Sequence, residues 1–179
     1  MTTTTTTTPA VTATTTSGAR VRRWLVAHDF SPSAEAAARM AASDLIDGGV
    51  DGCIVLLHIY QVMPLPSPFD TGGAGLAAMD EAVASESCVR LERLADALRR
   101  DVELMRAERL NAPTVQIETV VRQDGPCEGI LAEAREREVE RIAVGSHGHT
   151  GLMHFLLGST AERVVRLANI PVLVVKGPT

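Results

Sequence analysis

The chain has 179 residues, enough for one domain with a sizeable core plus a tail. Its 45% hydrophobic and 22% charged content is that of a globular protein, and a net charge of −5 argues against broad electrostatic capture of nucleic acid. Cys53, Cys88 and Cys127 are scattered without a CxxC. That pattern excludes a disulfide framework and a cysteine zinc site, and fits buried or partly buried thiols in a reducing cytosol.

The first sixteen residues, MTTTTTTTPAVTATTT, contain eleven threonines. They lack a basic region ahead of an apolar core, so they do not read as a secretory signal. Such a bias cannot support packing, and residues 1–19 are expected to be a disordered tail ahead of a domain over 20–179. No later apolar run approaches the ~20 residues of a membrane span.

Trp24 to Ala27 read as a short buried strand. Ser31 and Pro32 then read as a helix cap and first helical residue, and the alanine-rich stretch to Ile46 as helix, ended by the glycines of DGGVDG. CIVLLHI (53–59) is apolar almost throughout, as a central parallel strand would be. Residues 60–75 carry prolines and glycines and read as a loop. From Ala77 to Asn111, Leu91, Leu94, Leu98, Val102 and Met105 form one helical stripe.

TVQIETVV (114–121) alternates partly, as an edge strand does. Pro126 opens another helix, RIAVG (141–145) is the fourth strand, STAERVVRLAN a helix, and PVLVV (171–175) the fifth strand. Strands alternating with helices imply right-handed crossovers and a parallel sheet covered on both faces. Ligands of such sheets sit beyond the carboxyl ends of the strands, where the strand order reverses. Two strand ends carry unusual chemistry: AHDFS after the first and GSHGHTG after the fourth.

The second of these opens the stretch GSHGHTGLMHFLLGST, with spacing Gly145-x2-Gly148-x9-Gly158-Ser159. Glycines let successive N–H groups converge on an anion. Ser159 and Glu162 stand in capping-box spacing, which would start the last helix at the loop's end, and a helix N-terminus favours phosphate. The same residues also fit a plain turn with Ser159 as a cap, and the spacing alone leaves both readings open. Neither GxxxxGK[ST] nor a GxGxxG after a strand occurs. His147, His149 and His154 have no carboxylate or cysteine at ligand spacing, so no metal site of the protein's own is expected. His58 reads as a structural histidine.

The stretch 145–175 resembles the C-terminal signature of the universal stress protein family, in its ATP-binding branch with the pattern G-x2-G-x9-G-[S/T]. The resemblance extends to VAHDFSPSA, VLLHI and GPCEGIL, and covers about residues 21–176. It implies a doubly wound α/β fold with a five-stranded parallel sheet in the order 3-2-1-4-5 and helices on both faces (adenine nucleotide alpha hydrolase-like). It implies further that Asp29 meets the adenosine part of ATP, that Ala27 and His28 line the pocket, and that Ile59 contacts adenine through its backbone. Val144, Gly145, His147 and Gly148 would shape the ribose and phosphate end. Gly158, Ser159 and Thr160 would hold the phosphates, with Mg²⁺ or Mn²⁺ bound through them. Family members often carry a basic residue two positions after His147, where this chain has His149. His28 is also unusual; it either stacks on a base or hydrogen-bonds at the strand end.

The expectation is therefore a cytoplasmic, ATP-binding regulatory module of the stress response, without a membrane segment or nucleic-acid partner. It would be a homodimer through strand 171–175, since an apolar edge strand calls for cover. The alternatives are a slow ATPase using the same pocket, for which the parts of efficient phosphoryl transfer are missing, and a surface-interaction protein that binds no nucleotide.

Overall fold

A computed structural model describes residues 21–61, 74–146 and 157–177. The expected tail over 1–19, most of the loop after the second strand, and His147, Gly148, His149 and His154 lie outside the described residues. Five strands and four helices alternate along these residues: β1 (Arg22–Ala27), α1 (Pro32–Asp47), β2 (Gly52–Tyr60), α2 (Ala74–Ala107), β3 (Val115–Gln123), α3 (Pro126–Glu136), β4 (Arg141–Gly145), α4 (Ser159–Leu167) and β5 (Val172–Val175).

The strands form one parallel sheet in the order β3-β2-β1-β4-β5. β1 therefore lies between β2 and β4, with Ala27 level with Leu57 on one side and Val144 on the other. The chain winds outward from β1 in both directions, so the β1/β4 boundary is the point where the strand order reverses.

Alternation along each strand divides the core between two layers. Trp24, Val26, Ile54, Leu56 and Ala143 pack under α1 and α2, while Leu25, Leu57, Ile142 and Val144 pack under α3 and α4. Leu25, Ile54, Leu56, Leu57 and Ile142 are wholly buried, each contributing about 1.5–3 kcal/mol of transfer free energy. Alanines fill the close contact with α1: Ala34, Ala37, Ala38, Ala41 and Ala42 are all buried, which lets that helix approach the sheet although few aromatics are available.

Ser31 caps α1 as its sequence implies: its backbone is extended and its Oγ accepts the N–H of Ala34 at 3.3 Å, with Pro32 following. β3 alternates buried and exposed residues along Val115–Glu118, in keeping with its place at the edge. The long helix starts earlier than the expected Ala77 and stops at Ala107, short of Asn111, which takes a positive φ of 58°. Cys53 and Cys127 are buried, whereas Cys88 is exposed on α2.

One expectation about the last helix is corrected. Gly158, not Ser159, is the N-cap of α4; Ser159 is the first helical residue, and no side chain caps the helix. The first helical bond runs from the N–H of Glu162 to the carbonyl of Gly158 at 2.9 Å, one residue ahead of the register a capping box on Ser159 requires.

Candidate functional site

The carboxyl ends of β1 and β4 bring the turn that follows Ala27 beside Gly145 and Ser146, the described start of the glycine stretch. Beyond Ala27 the chain turns sharply through His28, Asp29 and Phe30 into the cap of α1. Asp29 makes the turn: one carboxylate oxygen accepts the N–H of Ser31 at 3.0 Å, while the side chain as a whole is exposed. Its carboxylate thus stands exposed just beyond the carboxyl end of β1.

On the neighbouring strand, Gly145 ends β4 against the first turn of α1. A Cβ at Gly145 would lie 2.5 Å from Ser33 Oγ and 2.8 Å from the amide nitrogen of Ala34, closer than real Cβ atoms come. The glycine at this position is required by a helix crossing close over the strand end. The chain leaves β4 at Ser146, whose N–H donates to the carbonyl of Val175 at 2.7 Å. It comes back at Gly158, whose N–H donates to the carbonyl of Ser146 at 2.8 Å. The two ends of the glycine stretch are therefore tied together, and the N-terminus of α4 starts beside the end of β4. With no side chain on its cap, α4 presents the amides of Ser159 and Thr160 without side-chain competition.

Ile59 lies on the α3 face of β2. A Cβ on Gly129 would meet Ile59 Cδ1 at 2.6 Å, so the first turns of α3 rest directly on this residue. Ala27 and Val144 are level with each other on neighbouring strands and belong to the same face.

His28 follows Ala27 directly at the end of β1. It is buried, at 3% exposure, and turned toward Phe30. Its Nδ1 accepts the N–H of Phe30 at 3.0 Å, so the ring proton sits on Nε2, which is buried without a partner among the described residues. Burial pushes the imidazole down to about 4, helped by the positive charges of His58 and Arg90 and opposed by Asp29. The side chain is neutral and hydrogen-bonds at the strand end, the second of the two roles open to it. His58 is a satisfied histidine, its Nδ1–H donating to the His28 carbonyl at 2.7 Å; burial also lowers its pKa.

Two residues of this region escaped the sequence reading. Phe30 holds φ at 65°, a left-handed conformation that costs a bulky side chain about 1–2 kcal/mol. Its ring packs at 4.4 Å from that of His58, and the guanidinium of Arg90, from α2, lies 4.1 Å from the ring centroid. Neither feature has a local sequence signal: nothing in DFSP marks the phenylalanine as left-handed, and Arg90 reads as one more exposed arginine of a charged helix.

The model of the Universal stress protein family matches residues 20–176. Universal stress protein MJ0531 of Methanocaldococcus jannaschii is 44% identical over 64 residues, 36% of this chain and 38% of that protein. The matched stretches span 38%, 42% and 62% of three curated relatives, less than two thirds of each. Among solved structures, that of MJ0577 aligns over 88% of this chain and 97% of its own, with a TM-score of 0.65 and 23% identity. A universal stress protein in complex with cAMP aligns over 89% of this chain and 98% of its own (TM-score 0.53, 18% identity). One from Arabidopsis thaliana with AMP bound aligns over 88% and 93% (TM-score 0.51, 19% identity). These likenesses show the fold.

Proposed function

The chain belongs to the universal stress protein family, and from that premise we propose that it binds ATP across the β1/β4 crevice and acts as a nucleotide-dependent regulatory module of the stress response. The observation that carries this reading is the bond between Gly158 N–H and Ser146 O. It ties the start of α4, which no side chain caps, to the end of β4, and parallel sheets take their ligands beyond such strand ends. Two relatives of the same fold hold adenine nucleotides, cAMP in one and AMP in the other.

In this reading Asp29 accepts hydrogen bonds from the adenosine part, with Ala27, the backbone of His28 and the backbone of Ile59 around the base. Val144, Gly145, His147 and Gly148 shape the ribose and phosphate end. Gly158, Ser159 and Thr160 offer amides and hydroxyls to the phosphates, and Mg²⁺ or Mn²⁺ joins through the phosphates. A donor-rich helix start and an exposed carboxylate suit a ligand that is anionic at one end and a hydrogen-bond donor at the other. The protein works in the cytoplasm as a dimer; no described helix is long and apolar enough to cross a membrane.

The test is thermal denaturation with and without MgATP. At a hundredfold excess over Kd, binding adds about 2.7 kcal/mol of stability. Gly158→Val, which obstructs backbone approach without removing a charge, abolishes the shift. Absence of any shift for the wild type at millimolar ATP, with calorimetry in agreement, removes the reading and leaves a protein that acts through its surface alone.

A further inference from the structure

We propose that residues 28–31 form a proton-triggered turn: a proton on the His28 ring opens this turn locally while the sheet stays folded. The inference concerns the turn itself and stands whether or not nucleotide binds.

Three observations carry it. The first is the role of the ring nitrogens. Nδ1 of His28 accepts the backbone N–H of Phe30 at 3.0 Å. An imidazolium carries a proton on both nitrogens and has no acceptor, so the bond exists only with the neutral ring, and a charged ring would set two donors face to face. The second is the surroundings. His28 is buried, and its Nε2 has no partner among the described residues. The charged and titratable groups that act on it are Asp29 in the same turn, His58 on β2 and Arg90 on α2. Asp29 favours the charged ring, the other two oppose it, and the loss of water outweighs Asp29. The third is the backbone. Phe30 holds φ at 65°, a conformation that persists only where its surroundings hold it.

The fold confines the opening to the turn. β1 ends at Ala27 and α1 begins at Pro32, so residues 28–31 lie outside both elements. The backbone of His28 is anchored, its N–H on the Leu57 carbonyl at 2.8 Å and its own carbonyl on His58 Nδ1 at 2.7 Å. Movement therefore falls on the His28 side chain and on Asp29, Phe30 and Ser31. Those residues carry the bond from Ser31 N–H to Asp29 and the bond from Ala34 N–H to Ser31 Oγ that caps α1. One proton thus governs both the placing of the Asp29 carboxylate and the cap of α1. In the closed turn the ring titrates at about 4, against an ordinary 6.5 in water. As pH falls through that window the ratio of open to closed turn rises about tenfold per unit, or about 20-fold from pH 7 to pH 5.

The experiment is native-state hydrogen exchange of the full chain, read by NMR at pH 7 and pH 5 over low urea concentrations, for wild type and H28N. Protection is taken relative to the intrinsic exchange rate at each pH. In the wild type the Phe30 amide is expected to lose about 20-fold in protection at pH 5. Its exchange should hardly depend on urea, because a local opening exposes little surface, whereas the amides of β2 follow the urea dependence of global unfolding. In H28N the carboxamide oxygen accepts the Phe30 N–H at either pH, and the pH dependence disappears. Equal protection of Phe30 at the two pH values overturns the proposal, as does an equal loss in H28N. A urea slope for Phe30 equal to that of β2 also overturns it, since the turn would then open only with the whole fold. The wild-type slope and pH dependence decide the matter by themselves if circular dichroism shows H28N unfolded.

Discussion

The backbone N–H of Phe30 donates to Nδ1 of His28 across 3.0 Å, and this bond ties a buried imidazole to a left-handed turn. The acceptor role requires Nδ1 to be unprotonated, so the turn and the charge state of His28 are linked. In the folded chain the imidazole titrates at about 4, against an ordinary 6.5. Between those values the unfolded chain binds the extra proton, so stability rises with pH across the window. This histidine costs nothing above pH 6.5 and up to about 3 kcal/mol below pH 4. His28→Asn keeps an acceptor oxygen for Phe30 and removes the titration. Urea denaturation at several pH values between 4 and 7 is expected to show a shallower slope for the variant. A difference between the two proteins that does not vary with pH would exclude His28 as the titrating group.

A second prediction concerns Gly145, whose absent side chain is matched by Ser33 and Ala34 of α1. Ser33 Oγ is held in a hydrogen bond with Ser31 Oγ at 3.1 Å, and the amide of Ala34 at 2.8 Å belongs to a capped helix turn that moves only as a unit. Gly145→Ala should therefore destabilise the protein by about 1–3 kcal/mol, the ordinary range for overpacking. The loss should appear without any nucleotide present, as a lower melting temperature in scanning calorimetry. An unchanged melting temperature would return Gly145 to a role in ligand approach only.

These two residues show how far the sequence reaches. The strands, the Ser31-Pro32 start of α1 and the edge character of β3 are legible because each is written within a few neighbouring residues, as an apolar run, a cap or an alternation. The order of the strands is not periodic information; it came from resemblance, and the sheet has that order. The contact of Gly145 with Ser33 joins residues on either side of most of the chain, so a glycine needed for helix packing looks the same in sequence as one needed for phosphate. The spacing of Ser159 to Glu162 fits a cap, yet the helix starts one residue earlier, at Gly158, whose N–H is bonded to the Ser146 carbonyl. The left-handed Phe30 has no signal at all, since its conformation answers to His28, His58 and Arg90 around it.

The third prediction is about chemistry. The Asp29 carboxylate accepts an N–H of its own turn, a task that fixes its position and draws on its capacity as an acceptor. The chain lacks the Walker lysine that cradles the terminal phosphates in P-loop enzymes. Phosphate release from ATP is expected to fall far below ~1 s⁻¹, the low end of ordinary turnover. A sustained, saturable rate above that, lost in Asp29→Ala or Ser159→Ala, would place the protein among the enzymes instead.

The last prediction concerns β5, the edge strand beside β4. The bonds to β4 come from alternate residues: the Pro171 carbonyl takes the N–H of Ile142 at 3.0 Å, and the Val175 carbonyl takes that of Ser146 at 2.7 Å. By the alternation of a parallel ladder, Val172 and Val174 turn their backbone groups the other way, toward the open side of the sheet. Their side chains pack with the α3/α4 layer, while Leu173 and Val175 pack with the α1/α2 layer, so the strand is apolar on both faces and, among the described residues, unpaired along one edge. Val165 and Leu167 on α4, which packs against β5, are also exposed. An edge of this kind is an aggregation hazard that proteins cover, and the same strand of a second copy, antiparallel across a two-fold axis, would cover it. Val174→Pro removes one outward N–H without touching the bonds to β4, and is expected to convert a dimer to a monomer of unchanged circular dichroism. Light scattering at micromolar concentrations reads the outcome. A wild type that remains monomeric at high micromolar concentration rejects the dimer, and a variant that stays dimeric moves the interface away from this edge.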